Sequence, residues 1–418
     1  MERNIFVPGD ILIPQNVDMH LWSVIACDQF TSAPDYWERV EKTVGNAPST
    51  LRLMLPEAYL DRPDVDGLVA GIEKSMLEYS SSGLFRTLEN SYVFVERTVS
   101  GGGVRRGLLG SLDLECYDYS PDSASPIRAT EGIVPERLPP RAKVRSKACL
   151  ELPHIVVFID DPDMSVIAPA ESEAGETLYD FELMEGGGHI RGRRISGAGA
   201  GRIEKALAGL ASPERLTEKY GAEKAPVIFA VGDGNHSLAA AKMNWETVRE
   251  GLSEEQKKTH PARWTMVELV NLHDSTIIFE PIYRLIFNTD TKAYLSEAKE
   301  FFSRFGGRQR HTLTCFTGEG SVDCGTGELT LGECIAACEE FAERYAEKHG
   351  GRIDYIHGRE TVLELGSRKD CAGILMPIMD KKELFPSITR SGALPKKSFS
   401  IGPALDKRYY LECRRIIP

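Results

Sequence analysis

Pro226-Val227-Ile228-Phe229-Ala230-Val231-Gly232-Asp233-Gly234-Asn235-His236-Ser237-Leu238 is the stretch whose reading decides the fold. The apolar run from Pro226 to Val231 has the length and character of a buried strand. Gly232-Asp233-Gly234 breaks it, and helical spacing takes over near Ser237. Leu238, Ala241, Trp245 and Val248 then share one face, while Lys242, Glu246 and Arg249 are expected to point away. Gly251 stands where glycine commonly ends a helix.

A strand running through a glycine turn into a helix is a place where α/β folds present reactive groups. The helix start offers unpaired backbone N–H groups and a positive dipole end, both suited to a phosphate or carboxylate. Gly234 lets the backbone approach a ligand closely. Asp233 is able to orient His236, accept a proton or hold a cation. The same residues also fit a plain cap, with Asp233 or Asn235 closing the helix and His236 packing locally.

Outward from this point the pattern stays mixed. Helical periodicity covers Asp66 to Tyr79. Tyr92 to Val99 alternates, Ser100-Gly101-Gly102-Gly103 turns, and Val104 to Leu114 returns, which predicts a hairpin. Ile155 to Ile159 reads as a strand stopped by Asp160-Asp161-Pro162. Ser196-Gly197-Ala198-Gly199-Ala200-Gly201 lacks the Gly-Lys-Ser/Thr ending of a phosphate loop and reads as a turn before a helix over 202–210. Beyond it, strands are predicted at 264–269, 276–279, 311–316, 328–331, 353–356 and 373–377. Helices are predicted at 293–305, 332–348 and 380–389. The polar stretch Ser253 to His260 suggests two domains, 1–255 and 256–418. A chain of 418 residues is too long for one ordinary core.

Composition narrows the function classes. The 62 acidic and 50 basic side chains leave a formal charge of −12, with no long Lys/Arg run, so nucleic acid is not an expected partner. No apolar run is long enough to span a bilayer, and the N-terminal stretch lacks the character of a signal peptide. Nine scattered cysteines, an odd number, fit thiols in a reducing compartment and a cytoplasmic location. Cys334 and Cys338 have no second pair at zinc-finger spacing, so they are expected to be buried thiols.

Several segments carry a family resemblance. Val231 to Ala241 resembles the Asp-Gly-His-His-Arg motif of domain-of-unknown-function family 1015. Leu394-Pro395-Lys396-Lys397-Ser398-Phe399-Ser400 resembles its proline-lysine-serine/threonine signature, and Ala372 to Pro377 the strand before it. The same order is similar to that of free-serine kinases with a ParB/sulfiredoxin-like fold. In that comparison Ile127 to Val134 takes the place of the segment holding the catalytic carboxylate.

The resemblance implies an α/β (α+β) protein with a ParB/sulfiredoxin-like N-terminal domain and a smaller α/β C-terminal domain. It implies a nucleotide-dependent phosphotransferase acting on the hydroxyl of a small metabolite, serine or similar, with ATP or ADP and Mg²⁺. Glu131 is then the general base, with Asp233 and His236 catalytic. Gly234, Asn235 and Ser237 cradle phosphate. Arg137, Arg141, Arg145, Lys396, Lys397 and Ser398 supply phosphate or substrate contacts, although a basic loop after Glu131 also fits a plain solvated segment. Three positions depart from the family pattern: Thr130 and Asn235 replace histidines, and Ser237 replaces an arginine. Asp28, in Ala26-Cys27-Asp28-Gln29-Phe30, resembles the family's Pro-Tyr-Asp segment and fits a pocket or a turn role. His154 reads as a hydrogen-bonded structural histidine. Two other classes remain: a nucleotide-binding or nucleotide-hydrolysing regulatory module, and a non-catalytic metabolite-binding protein.

Overall fold

The computed structural model describes residues 4–418 except 32, 61, 121–122, 134–137, 222–224 and 307–309. It is a mixed α/β protein whose chain divides into two compact units. The first comprises Met1–Ala129, Ile133–Ile277 and Pro403–Pro418; the second comprises Thr130–Gly132 and Ile278–Gly402.

The first unit is built on a ten-stranded mixed sheet. Its order begins Ile127–Ala129, Phe229–Asp233, Val156–Ile159, Trp264–Asn271, and continues Val104–Asp113, Phe85–Thr98, His189–Ile195, Thr177–Glu182. Strand Phe229–Asp233 runs parallel to Ile127–Ala129 and antiparallel to Val156–Ile159. Buried on both faces, this interior strand, second from the sheet edge, reads as a continuous apolar run rather than an alternating one. Helices Ala198–Leu210 and Asn235–Arg249 cover one face, with Ile203, Leu207, Leu238, Ala241 and Trp245 meeting Val157, Ile159, Phe229 and Val231. The hairpin forms as the alternation implies, with Val93 opposite Leu109.

Sixteen residues at the C-terminal end, 403–418, belong to the first unit. Tyr409–Tyr410 pairs with Val24–Ile25, Cys413 bridges Leu12, and Arg414–Arg415 pairs with Leu150–Glu151. Buried Arg97 donates to the carbonyls of Leu405, Asp406 and Lys407, and its guanidinium lies 5.0 Å from the Tyr409 ring centroid. The expected boundary at 255 falls within the first unit. Trp264–Asn271 is an interior strand of the first sheet, and the chain crosses between units more than once.

The second unit has a five-stranded antiparallel sheet in the order Gly320–Gly325, Thr312–Thr317, Cys371–Leu375, Tyr283–Phe287, Arg352–Ile356. Its long helix, Leu331–His349, opens with a capping box between Thr330 and Glu333. That cap occupies the segment 328–331 where a strand was predicted, and the strand lies instead at Gly320–Gly325. Cys334 and Cys338 are both buried on this helix. The glycines at 197–201 open the helix Ala198–Leu210, with Gly197 as its cap at φ 58°, so the predicted turn is mostly helical. Among the described residues, no helix is long and apolar enough to cross a membrane.

Candidate functional site

The turn after strand Phe229–Asp233 is shaped by two glycines. A Cβ at Gly232 would overlap the Phe158 ring. Gly234 caps helix Asn235–Arg249 in the left-handed region, at φ 76° and ψ 26°, and a Cβ there would stand 3.0 Å from Ile155 Cγ1. The cap residue, a glycine, offers no side-chain hydrogen bond to the helix start, and the first turn contains no acid. Asp233 therefore does not cap the helix. Its Oδ1 accepts from the Gly234 N–H at 2.8 Å, and it faces Lys407.

Lys407 is the centre of the arrangement. Its Nζ donates to Asp28 Oδ2 at 2.7 Å and reaches Asp233 Oδ1 at 3.0 Å. Burial alone would lower the ammonium's pKa, but the Asp233 and Asp28 carboxylates outweigh it and raise the net value. For Asp28 the burial penalty, which favours the neutral acid, is overcome chiefly by Lys407, and its pKa lies below the ordinary value. Asp28 Oδ1 is enclosed without a hydrogen-bond partner. The sequence offered Asp28 through its segment's resemblance. Nothing in Asp406-Lys407-Arg408 singled out Lys407.

A second set of groups runs alongside. Ser237, in the first turn of the helix, contacts His154 Nε2 through its Oγ at 3.0 Å. His154 Nδ1 meets the Tyr410 hydroxyl at 3.1 Å, and that hydroxyl donates to Cys27 Sγ at 3.2 Å. Burial lowers the His154 pKa, against the pull of Asp28 and Asp233, so the imidazole is neutral near pH 7. Burial and the adjacent Asp28 push the Cys27 thiol up to about 11, which leaves it a poor nucleophile. The expectation of a hydrogen-bonded His154 holds, but its partners place it at the turn.

The remaining predicted residues fall into separate groups. His236 and Asn235 are half-buried in the first helical turn. Arg141 pairs with Glu57, and Arg145 with buried Glu151, which also takes Arg414 at 2.6 Å. Arg137 lies outside the described residues. In the second unit Glu131 bridges Leu394 through the backbone, and Leu394 donates to the Thr130 carbonyl at 2.8 Å. Lys396 and Lys397 follow, both exposed, the latter at φ 60°. Ser398 is buried and donates to the Pro395 carbonyl of its own loop. The Glu131 segment and the Pro395-Lys396-Lys397-Ser398 motif are thus brought together by backbone pairing.

The side chains also bear on Mg²⁺. Among the described residues no group of three or more His, Cys, Asp or Glu is arranged to hold a metal ion, and Lys407 already stands between Asp28 and Asp233. The described residues do not make a protein cage for the ion.

A family model described as protein of unknown function (DUF1015) matches residues 12–372. No curated protein matches the chain. Among solved structures, a free serine kinase in complex with AMP is 10% identical with a TM-score of 0.37, covering 73% of this chain and 91% of its own. SbnI from Staphylococcus aureus, with a C-terminal truncation, is 11% identical with a TM-score of 0.35, covering 70% and 82%. A conserved hypothetical protein from Pyrococcus furiosus is 9% identical with a TM-score of 0.33, covering 73% and 94%.

Proposed function

The chain belongs to the DUF1015 family of proteins of unknown function, and we propose that it is a nucleotide-dependent phosphotransferase acting on the hydroxyl of a small metabolite. One observation carries this reading. Strands Ile127–Ala129 and Phe229–Asp233 are parallel neighbours with Ala129 in register with Val231. Two residues beyond Ala129 comes Glu131; two residues beyond Val231 comes Asp233. Functional groups of α/β sheets collect at the carboxyl ends of parallel strands, where the loops are free to vary.

In the proposed reaction, the Glu131 carboxylate takes the proton of the acceptor hydroxyl. The acceptor oxygen forms a bond to the terminal phosphorus as the bond to the leaving nucleotide breaks. Phosphoryl transfer asks mainly for positioning and charge neutralisation. The N-terminal end of helix Asn235–Arg249 turns its positive dipole end to phosphate oxygens, and Gly234 keeps their approach open. Lys407 fixes the Asp233 side chain beside that turn. Any Mg²⁺ would arrive on the phosphates rather than in a protein cage.

A specific feature supports the regulatory alternative. Ser237, where the family pattern carries arginine, is hydrogen-bonded to His154 and lacks a guanidinium's bidentate grip on phosphate. The deciding experiment incubates protein, Mg²⁺ and ATP or ADP with serine, homoserine, threonine and simple polyols. Transfer by the wild type, reduced about 10²–10⁴-fold by Glu131→Gln, supports the phosphotransferase. Nucleotide bound or hydrolysed without transfer to any acceptor establishes the regulatory reading instead.

A further inference from the structure

The first unit holds a cavity of about 160 Å³ that Ser237 and His154 help to line and whose described lining includes none of Asp28, Asp233 and Lys407. Leu53, Met54, Leu55, Leu60, Met76 and Val144 contribute apolar side chains to its wall. At one end converge Ser237, His154, Tyr410 and Cys27, the hydrogen-bonded set described above. A comparable apolar cavity of about 150 Å³ holds a benzene-sized molecule. Apolar walls with a few convergent polar groups are the usual make-up of a small-molecule site.

The charges decide which molecule. Among the described lining residues the carboxylates and guanidiniums are Glu57, Arg141, Glu151 and Arg145. They are matched within the protein, Arg141 to Glu57 and Arg145 to Glu151. A zwitterionic ligand would have to shed water from both its charges against this background, at a cost of several kcal/mol per ion. An uncharged ligand avoids that cost and gains from the leucine and methionine wall. At the polar end both ring nitrogens of His154 are engaged, one by Tyr410 and one by Ser237, so a ligand hydroxyl finds its partner in the remaining lone pairs of Ser237 Oγ, to which it donates.

We propose that this cavity is a binding site for a small, uncharged molecule with an apolar body of about six heavy atoms and one hydroxyl directed at Ser237. The site is independent of the phosphotransferase reading, since its occupation requires neither nucleotide nor Glu131. Because Ser237 belongs both to the cavity and to the first turn of helix Asn235–Arg249, occupation is felt at the phosphate turn.

The test is direct binding by calorimetry or ligand-observed NMR, with the full chain, no nucleotide, and linear alcohols from propanol to octanol. Affinity should rise about fourfold per methylene and stop rising once the cavity is full. Serine should not compete. Val144→Phe, which fills the cavity from its wall, should weaken hexanol binding at least about tenfold, and Ser237→Ala should weaken the alcohols but not the matching alkane-like probe cyclohexane. Circular dichroism confirms that each variant is folded. If Val144→Phe does not fold, the Ser237→Ala comparison and the chain-length series decide. Absence of saturable alcohol binding overturns the proposal, as does a series with no plateau or equal binding of serine. A failed phosphoryl-transfer screen would leave this site standing, and transfer to serine with no alcohol binding would remove only this site.

Discussion

Replacing Lys407 with methionine removes the ammonium while keeping most of the side chain's volume. The expected loss of stability at pH 7 is about 3 kcal/mol. At 2.7 and 3.0 Å each contact is worth about 6 kcal/mol gross at an effective dielectric of about 20. Much of that offsets the desolvation of the three charges, and breaking a buried pair nets about 3–5 kcal/mol. Asp28 and Asp233 keep 23% and 26% of their side-chain surface exposed, which selects the lower end of that range. The pH dependence is the sharper signature. In the wild type the lowered Asp28 pKa gives stability that is present above the ordinary carboxylate value and lost as pH falls through the folded one. Without Lys407, burial dominates and the Asp28 pKa moves above its ordinary value. The variant's deficit should therefore shrink as pH is lowered from 7 towards 5, and Asp28→Asn should rescue it. Trp22, Trp37, Trp245 and Trp264 all lie in the first unit, so tryptophan fluorescence during urea unfolding reports on that unit alone. A loss below about 1 kcal/mol, or one that is the same at every pH, would refute the assignment of Lys407 as the charge that holds Asp28.

Two further predictions rest on separate features. Burial favours neutral Glu151, but Arg414 and Arg145 overcome it and depress its pKa to about 2. From an ordinary value near 4.5, that is about 3 kcal/mol present at neutral pH and lost as pH falls from about 4.5 towards 2; Glu151→Gln should remove this part of the acid transition seen by fluorescence. Gly234→Ala forces a side chain into the left-handed region beside Ile155 and should cost at least about 1–2 kcal/mol, read as a lowered urea midpoint; an unchanged midpoint would mean that the turn relaxes freely.

What the sequence displayed was local. The strand–turn–helix at 226–249 stands out because a buried parallel strand and an amphipathic helix have different periods, with glycines marking the change. The hairpin and the helix Leu331–His349 are legible for the same reason. Lys407 was not, because its partners are 379 and 174 positions away in the chain and a lone lysine carries no pattern. Lys242 shows how tertiary contact overrides periodicity. Helical spacing puts it on the outer face, yet it is buried and donates to the Leu114 carbonyl at 3.0 Å. Arg141 and Arg145 looked like anion ligands because their partners, Glu57 and Glu151, belong to other elements. The division at 255 followed polarity along the chain, whereas the observed units follow strand pairing between distant segments.

The return of residues 403–418 to the first unit has a consequence for how the protein is made. A ribosome completes residues 278–402 before it reaches the segment that supplies Lys407 and Tyr410. Until then Asp28 and Asp233 lack their shared ammonium, and strand Val24–Ile25 lacks its partner Tyr409–Tyr410. A chain arrested anywhere before residue 407 carries the conspicuous glycine turn but not the cation beside it. The three-charge cluster is thus complete only once residue 407 has been made, and chains stalled or clipped before it are left with an unmatched pair of acids.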